Sequence, residues 1–398
     1  MISGDQKNNS ENSIARRRGT LIAGSFAHFI HDGLTDCLFV LLPALAEAFG
    51  LNHAQIGLIK MCASGALATL QVPAGMLAEK FSERSIITFG TMLGGVGLLF
   101  AGFATGYIGL LAGILVLGCG ASTQHPLVST LISHAYRGGR IRAALGTYNF
   151  AGDLGKVVVP FAVSAMIALW GWRASVHTYG ITVILSGVFF FFLIGKLAPI
   201  KETKSKLKVT LNGWGVQDQK GFSVLASISM IDTSCRLSFL TFVPFLLIDK
   251  GVAGTSIGLA LGLVFTGGAA GKLVCGLTAE RVGILRTVII TELLTSFSIL
   301  GIVFLPITWV WIILPITGLA LNGTSSVLYG TVAEFIDPDR LSRAYGLFYT
   351  LGIGAGAISP IVYGMLSDYS SITFALIIIG LSTLLTLPLS MMLRRSLA

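Results

Sequence analysis

The chain has 398 residues, of which 54% are hydrophobic and only 11% charged, and its mean hydropathy is +0.82. A soluble domain is about a quarter charged, so a soluble enzyme or binding module is excluded. Apolar runs of the ~20 residues that cross a bilayer core make this an all-α integral membrane protein, because lipid offers no partner to unpaired backbone groups. The formal charge of +9 does not indicate nucleic acid either. Most of the 27 Lys and Arg fall in tails and loops of one side, which places both termini in the cytoplasm and the chain in the plasma (inner) membrane.

Twelve transmembrane helices are predicted, roughly at 20–48, 54–79, 85–104, 107–133, 142–169, 176–195, 221–248, 253–278, 285–304, 308–333, 342–366 and 371–393. A polar tail, 1–19, carries Arg16, Arg17 and Arg18 just before the first span and has no cleavable signal pattern. The lysine-rich stretch 196–220 reads as a solvated linker between a first six-helix half, 20–195, and a second, 221–393, with a short tail at 394–398. The five cysteines are scattered through apolar spans with no CxxC or metal-finger spacing.

Span 1 holds the densest polar set. His28, Asp32 and Asp36 are spaced four apart and share one helical face, with His31 a quarter-turn away. A carboxylate at mid-membrane costs at least about 2.5 kcal/mol, so Asp32 and Asp36 are candidates for binding protons; a structural ion pair is the plainer alternative. Lys60 in span 2 lies near enough to the span's end for its stem to snorkel to water. A charged break, Gly75, Glu79, Lys80 and Arg84, joins spans 2 and 3. Span 4 places Gln124 and His125 at helix depth after the glycines 118 and 120, and Pro126 frees a carbonyl. Span 5 follows the basic loop Arg137–Arg142 and carries Asp153 and Lys156, three apart and able to pair.

In the second half, span 7 carries Asp232 and Arg236 four apart near mid-membrane, the second possible local pair. If both pairs form locally, Asp32 and Asp36 are left over. The loop after span 8 repeats the earlier break as Gly276, Glu280, Arg281 and Arg286. Glu292 in span 9 is expected to be structural. Asn322 and Tyr329 of span 10 are candidates for lining a substrate site, and Gly352, Gly354 and Gly356 of span 11 suit close packing.

The halves repeat. Pro43 answers to Pro244, Ile56 and Gly57 to Ile257 and Gly258, Gly118 to Gly318, Arg140 to Arg340, Gly146 to Gly346 and Pro160 to Pro360. The twice-written loop resembles the signature of the major facilitator superfamily of secondary transporters, with Ser82 standing where that family usually has Gly. The resemblance covers nearly the whole chain. It implies two pseudo-symmetric parallel halves with a midplane substrate site and alternating access, and it makes the two loops, with Arg140, Arg142, Arg340 and Arg343 as partners, the cytoplasmic lock. His28, Asp32 and the Gly-rich stretch before His125 and Pro126 are similar to fosmidomycin-resistance-type exporters. Val159-Pro160 stands where exporters have Gly-Pro, and the span-4 Arg of many drug/proton antiporters is missing.

These readings converge on a proton-coupled secondary transporter of a small organic solute, with efflux slightly preferred. Asp32, Asp36 and Asp153 are the proton candidates. His28, Gln124, His125, Lys156, Asp232, Arg236, Asn322 and Tyr329 are the substrate candidates. Uptake of a small anion by proton symport, with Lys156 and Arg236 as clamps, is the alternative. A divalent-metal carrier using His28, Asp32, Asp36 and His125 and a non-transporting receptor rank below these. No HExxH, G-x-S-x-G or P-loop occurs. Neither enzyme activity, cofactor, resident metal nor nucleic-acid partner is expected, and one chain would suffice as a monomer in the lipid bilayer.

Overall fold

The computed structural model describes residues 4–136, 141–197, 216–337 and 341–397, without the side chains of 4–13, 79, 142, 196–197, 341–344 and 395–397. Arg140, Arg340 and most of the linker lie outside the described residues, as do the side chains of Glu79, Arg142 and Arg343. Among the described residues the secondary structure is helical apart from one isolated bridge, Val216 to Ile336.

The helices are α1 (Gly4–Phe49), α2 (His53–Lys80), α3 (Glu83–Phe103), α4 (Tyr107–Ala121), α5 (Gln124–Ala135), α6 (Ile141–Leu197), α7 (Gln219–Asp249), α8 (Ile257–Val282), α9 (Ile284–Phe304), α10 (Ile307–Thr331), α11 (Leu341–Tyr369), α12 (Ile372–Ser382) and α13 (Thr386–Leu397). Eleven stretches are long and apolar enough to cross a membrane, and one of them, Ala143–Gly195, has 53 residues. That is about twice what a bilayer needs, and its backbone leaves the helical region at Gly171, with φ 78° and ψ 165°. Only a residue without Cβ adopts that conformation freely, so α6 supplies spans 5 and 6 and the count returns to twelve. Span 4 is α4 and α5 in succession, stepped at Ser122–Thr123 just before Pro126, and span 12 is α12 and α13. At the other end from its membrane segment, α1 continues as helix back into the polar tail.

The two signature loops solve the same turn differently. In the first, Ser82 is an extended N-cap whose hydroxyl accepts from the Ser85 amide at 3.2 Å. In the second, Gly283 makes the turn with φ 92°. A capping serine therefore replaces the glycine, because its side chain satisfies an otherwise unpaired amide of the helix start.

Two compact units emerge from the packing. The first contains Met1–Cys37, Thr69–Val159 and Trp170–Lys208, and the second Leu38–Ala68, Pro160–Leu169 and Val209–Ala398. The core of the first gathers Ala23, Ala27, Ile87, Val128, Ile132, Tyr148 and Phe190. Within it α3 and α4 approach closely because glycines face backbone: a Cβ on Gly97 or Gly120 would collide with main-chain atoms of the other helix. The core of the second is built on Phe222, Leu225, Leu328, Phe335 and Phe348, with α8 packed along α10 and α7 along α11. Segments from both sequence halves meet inside this second unit. The Asp368 carboxylate accepts from the backbone amides of His53 and Ala54, at 2.8 and 2.9 Å, and so caps the start of α2. Gly57 lies against the Pro360 carbonyl, and the Gly258 amide donates to Ser164 Oγ. These contacts explain why Leu38–Ala68 and Pro160–Leu169 pack with the second sequence half rather than the first.

Candidate functional site

Three helices of the first unit deliver one polar cluster. α1 supplies His28, His31 and Asp32, which are 4%, 5% and 3% exposed. α5 supplies Gln124 and His125, and α6 supplies Tyr148, Asp153 and Lys156. Glycine makes the approach of α6 feasible: a Cβ at Gly152 would sit 2.6 Å from the His28 ring and 2.7 Å from Asp32 Oδ2, and one at Gly155 would strike the Phe29 carbonyl.

Asp32 is the centre. Its Oδ2 lies 3.2 Å from His28 Nε2 and 3.3 Å from Lys156 Nζ, and its Oδ1 lies 3.7 Å from His125 Nε2 and 4.0 Å from His31 Nε2. The alternative in which Asp153 pairs with Lys156 and leaves Asp32 over is therefore not the arrangement found. Lys156 lies 3.9 Å from Asp153 Oδ1 but nearer to Asp32, because α6 is brought against α1 by its glycines. His28 stacks on Tyr148, with centroids 4.0 Å apart, and its Nδ1 is 2.9 Å from the Tyr148 carbonyl. A carbonyl only accepts, so Nδ1 carries the hydrogen. In the neutral ring Nε2 then presents a lone pair to a carboxylate, and the two atoms have room for one proton between them.

Neither His28 Nε2 nor His31 Nε2 has a hydrogen-bond partner, and Gln124 Nε2 is equally unpartnered at 1% exposure, its Oε1 accepting from Tyr148 OH at 3.4 Å. The accessible members are His125 and Lys156, whose side chains are 42% and 27% exposed. Asp36, one turn further along α1, is half-buried. His31 and Tyr148 were not among the predicted site residues. The ring of His31 nevertheless packs edge-on to His125 at 4.6 Å, and Tyr148 carries the carbonyl that orients His28. An aromatic in the predicted span 5, one helical repeat before Gly152, was the available signal for Tyr148.

Ligand atoms of His28, Asp32 and His125 lie within 4.8 Å of one another, a spacing a divalent ion could use. The Lys156 ammonium already stands against the same carboxylate, however, so the donor set fits a proton and a lysine cation better than a metal.

The second unit has its own charged residues. Asp232, 5% exposed, accepts from Ser325 Oγ at 2.9 Å. Arg236, one turn on, is half-buried with Nε lacking a hydrogen-bond partner. Asn322 donates to the Gly318 carbonyl of its own helix at 3.3 Å and packs on Gly268. Tyr329 stacks on Tyr349 at 4.5 Å. Lys60 does not snorkel: it is 4% exposed, and its Nζ lies 3.7 Å from the centroid of the Phe39 ring, whose face attracts the cation. In the signature loops Lys80, Glu280, Arg281 and Arg286 are exposed, and no atom would obstruct a Cβ at Gly75 or Gly276. Arg84 lays its guanidinium 3.6 Å from the Phe191 ring centroid.

Known proteins resemble this chain along most of its length. The fosmidomycin resistance protein of Escherichia coli is 24% identical over 369 residues, covering 89% of this chain and 87% of its own. The 4-hydroxybenzoate transporter PcaK of Pseudomonas aeruginosa is 23% identical over 366 residues, covering 82% of this chain and 81% of its own. Among solved structures, a bacterial homologue of the human lysosomal transporter Spinster superposes with a TM-score of 0.81 at 15% identity, over 96% of this chain and 97% of that one. The model of the Major Facilitator Superfamily matches twice, at residues 24–222 and 221–396. With each half of the sequence matched in turn, the chain belongs to the major facilitator superfamily, as a multi-pass secondary transporter of small solutes and not an enzyme.

Proposed function

We propose that this transporter is a proton-coupled carrier of a small organic anion, working as a monomer by alternating access. The observation that carries the reading is the Asp32–Lys156 pair, 3.3 Å apart, with His28 Nε2 at 3.2 Å from the same oxygen. While Asp32 is ionised, Lys156 is its counter-ion. A proton delivered through His28 neutralises Asp32 and releases the ammonium, which with the exposed His125 holds a carboxylate. Proton and anion then favour each other's binding, and by linkage each strengthens the other to the same degree. Asp153, 3.9 Å from Lys156, is the group on which the lysine rests once Asp32 is protonated and before the anion binds. Resemblance to a transporter of 4-hydroxybenzoate, itself a carboxylate, supports this substrate class.

The preference for efflux drawn from the sequence stands as a second reading, favoured by the relative named for fosmidomycin resistance. In that case substrate and proton would compete for Asp32 rather than assist one another. Growth of an exporter-depleted bacterial host on a panel of toxic compounds and toxic carboxylate analogues separates the two. Anion symport predicts hypersensitivity to the carboxylates, lost in Lys156→Ala and Asp32→Asn at equal membrane abundance. Resistance that requires Asp32 would replace symport with export.

A further inference from the structure

Glu292 is 1% exposed on α9, and neither carboxylate oxygen has a hydrogen-bond partner. The structural role expected for it is hard to reconcile with that environment, since a structural carboxylate needs donors or a counter-ion. Its neighbours supply neither. The titratable groups beside it, Asp232 and Cys235, come from α7, and of these the charge of Asp232 acts on Glu292. From the α12–α13 side Thr383 donates to the Gly380 carbonyl at 2.9 Å and reaches the backbone carbonyl of Glu292 at 3.4 Å, not its carboxylate. From α10, Thr324 bonds to Thr291 and Ser325 to Asp232. One turn along α9, Ser296 also has a buried hydroxyl with no partner.

A carboxylate ionised in such a place is far costlier than the neutral acid. Asp232 is better served. It accepts from Ser325, and Arg236, one turn further on α7, acts on it as a counter-charge. The bonds of Thr324 to Thr291, the residue before Glu292, and of Ser325 to Asp232 bring the two acids to neighbouring positions of α10. We propose that Asp232 and Glu292 hold one exchangeable proton between them, seated on Glu292 in this conformation, so that the second half carries a proton site of its own. With the proton in place the set is neutral: Asp232 negative, Arg236 positive, Glu292 uncharged. Exchange breaks the O–H bond of Glu292 and forms one on a water molecule, which carries the proton away. The set is then left with one negative charge more than Arg236 can neutralise, which favours rebinding. This site does not depend on the role given to Asp32.

Infrared spectroscopy of the purified protein in lipid tests it without any substrate, by reading the C=O stretch of a protonated carboxylic acid during a pH titration. The expected result is a protonated-acid band at neutral pH that disappears in Glu292→Gln and survives in Asp32→Asn. In Glu292→Asp the band should move rather than vanish, which keeps the test valid if the Gln variant accumulates poorly. In Asp232→Asn, with the like charge removed, the band should be lost at lower pH than in the parent protein. No such band at neutral pH, or a band unchanged in both Glu292 variants, would overturn the proposal.

Discussion

Asp32 sits at 3% exposure with an ammonium and three imidazole rings around it, so its behaviour is set by which of them holds the compensating charge. Removing Lys156 leaves a buried carboxylate with histidines alone. Breaking a fully buried pair costs roughly 3–5 kcal/mol, and since the Lys156 side chain is 27% exposed, about 2 kcal/mol is the expected loss for Lys156→Ala. It is read as a lowered melting temperature in detergent, alongside loss of anion transport. Lys156→Ala in combination with Asp32→Asn should restore stability but not transport. Gly152→Ala offers a test by shape alone: its methyl group would press on His28 and Asp32, and transport should fall several-fold in a protein that remains folded. The residues of this site were nearly all legible in sequence, since an acid or a lysine inside an apolar span has few reasons to be there. Their convergence was not. Residues 28, 125 and 156 come from three helices, and helical periodicity within one span says nothing of which neighbour it meets. Lys60 was misread for a related reason: depth along a helix can be counted in the sequence, but the aromatic face that receives the ammonium belongs to α1.

At the scale of elements, glycine sets helix separation. α3 and α4 touch through Gly90, Gly94, Gly97, Gly113 and Gly120, and a Cβ on Gly120 would meet the backbone of Gly90 and Gly94. Gly120→Val should therefore be among the most damaging single changes, costing about 3 kcal/mol or more by overpacking, measurable as loss of folded protein on size-exclusion chromatography. A substitution at Gly146, with nothing near its Cβ, should be tolerated. Span number and position were readable from hydropathy because the bilayer imposes length. The break at Gly171 was anticipated as the gap between spans 5 and 6, yet helix continues on both sides of it, since one positive-φ residue suffices to turn the chain. The exchange of a capping Ser82 for the left-handed Gly283 was visible only as a departure from the loop pattern. Its reason, a hydroxyl bonded to the Ser85 amide, is a matter of local geometry.

For the whole molecule, the sequence repeat conveys the two-half plan but not how packing regroups it. Segments Leu38–Ala68 and Pro160–Leu169 join the second unit, held there by the Asp368 cap on α2 and by Ser367 Oγ at 3.0 Å from His53 Nδ1. The alternating access proposed above requires this contact to open once per cycle. Cysteines placed at His53 and Ser367 and joined by a short bifunctional thiol reagent should stop transport, and a cleavable reagent should restore it on reduction. Undiminished transport in the cross-linked protein would mean that these segments do not separate.

Whether the proton works through Asp32 is read most directly in reconstituted liposomes. With the anion identified by the growth panel, net accumulation driven by an imposed pH gradient is compared with exchange of labelled for unlabelled anion at equal pH. Asp32→Asn should abolish accumulation while retaining exchange, because an uncharged residue mimics the protonated state and leaves Lys156 free to hold the anion. Accumulation in Asp32→Asn equal to that of the parent protein would contradict proton coupling through Asp32.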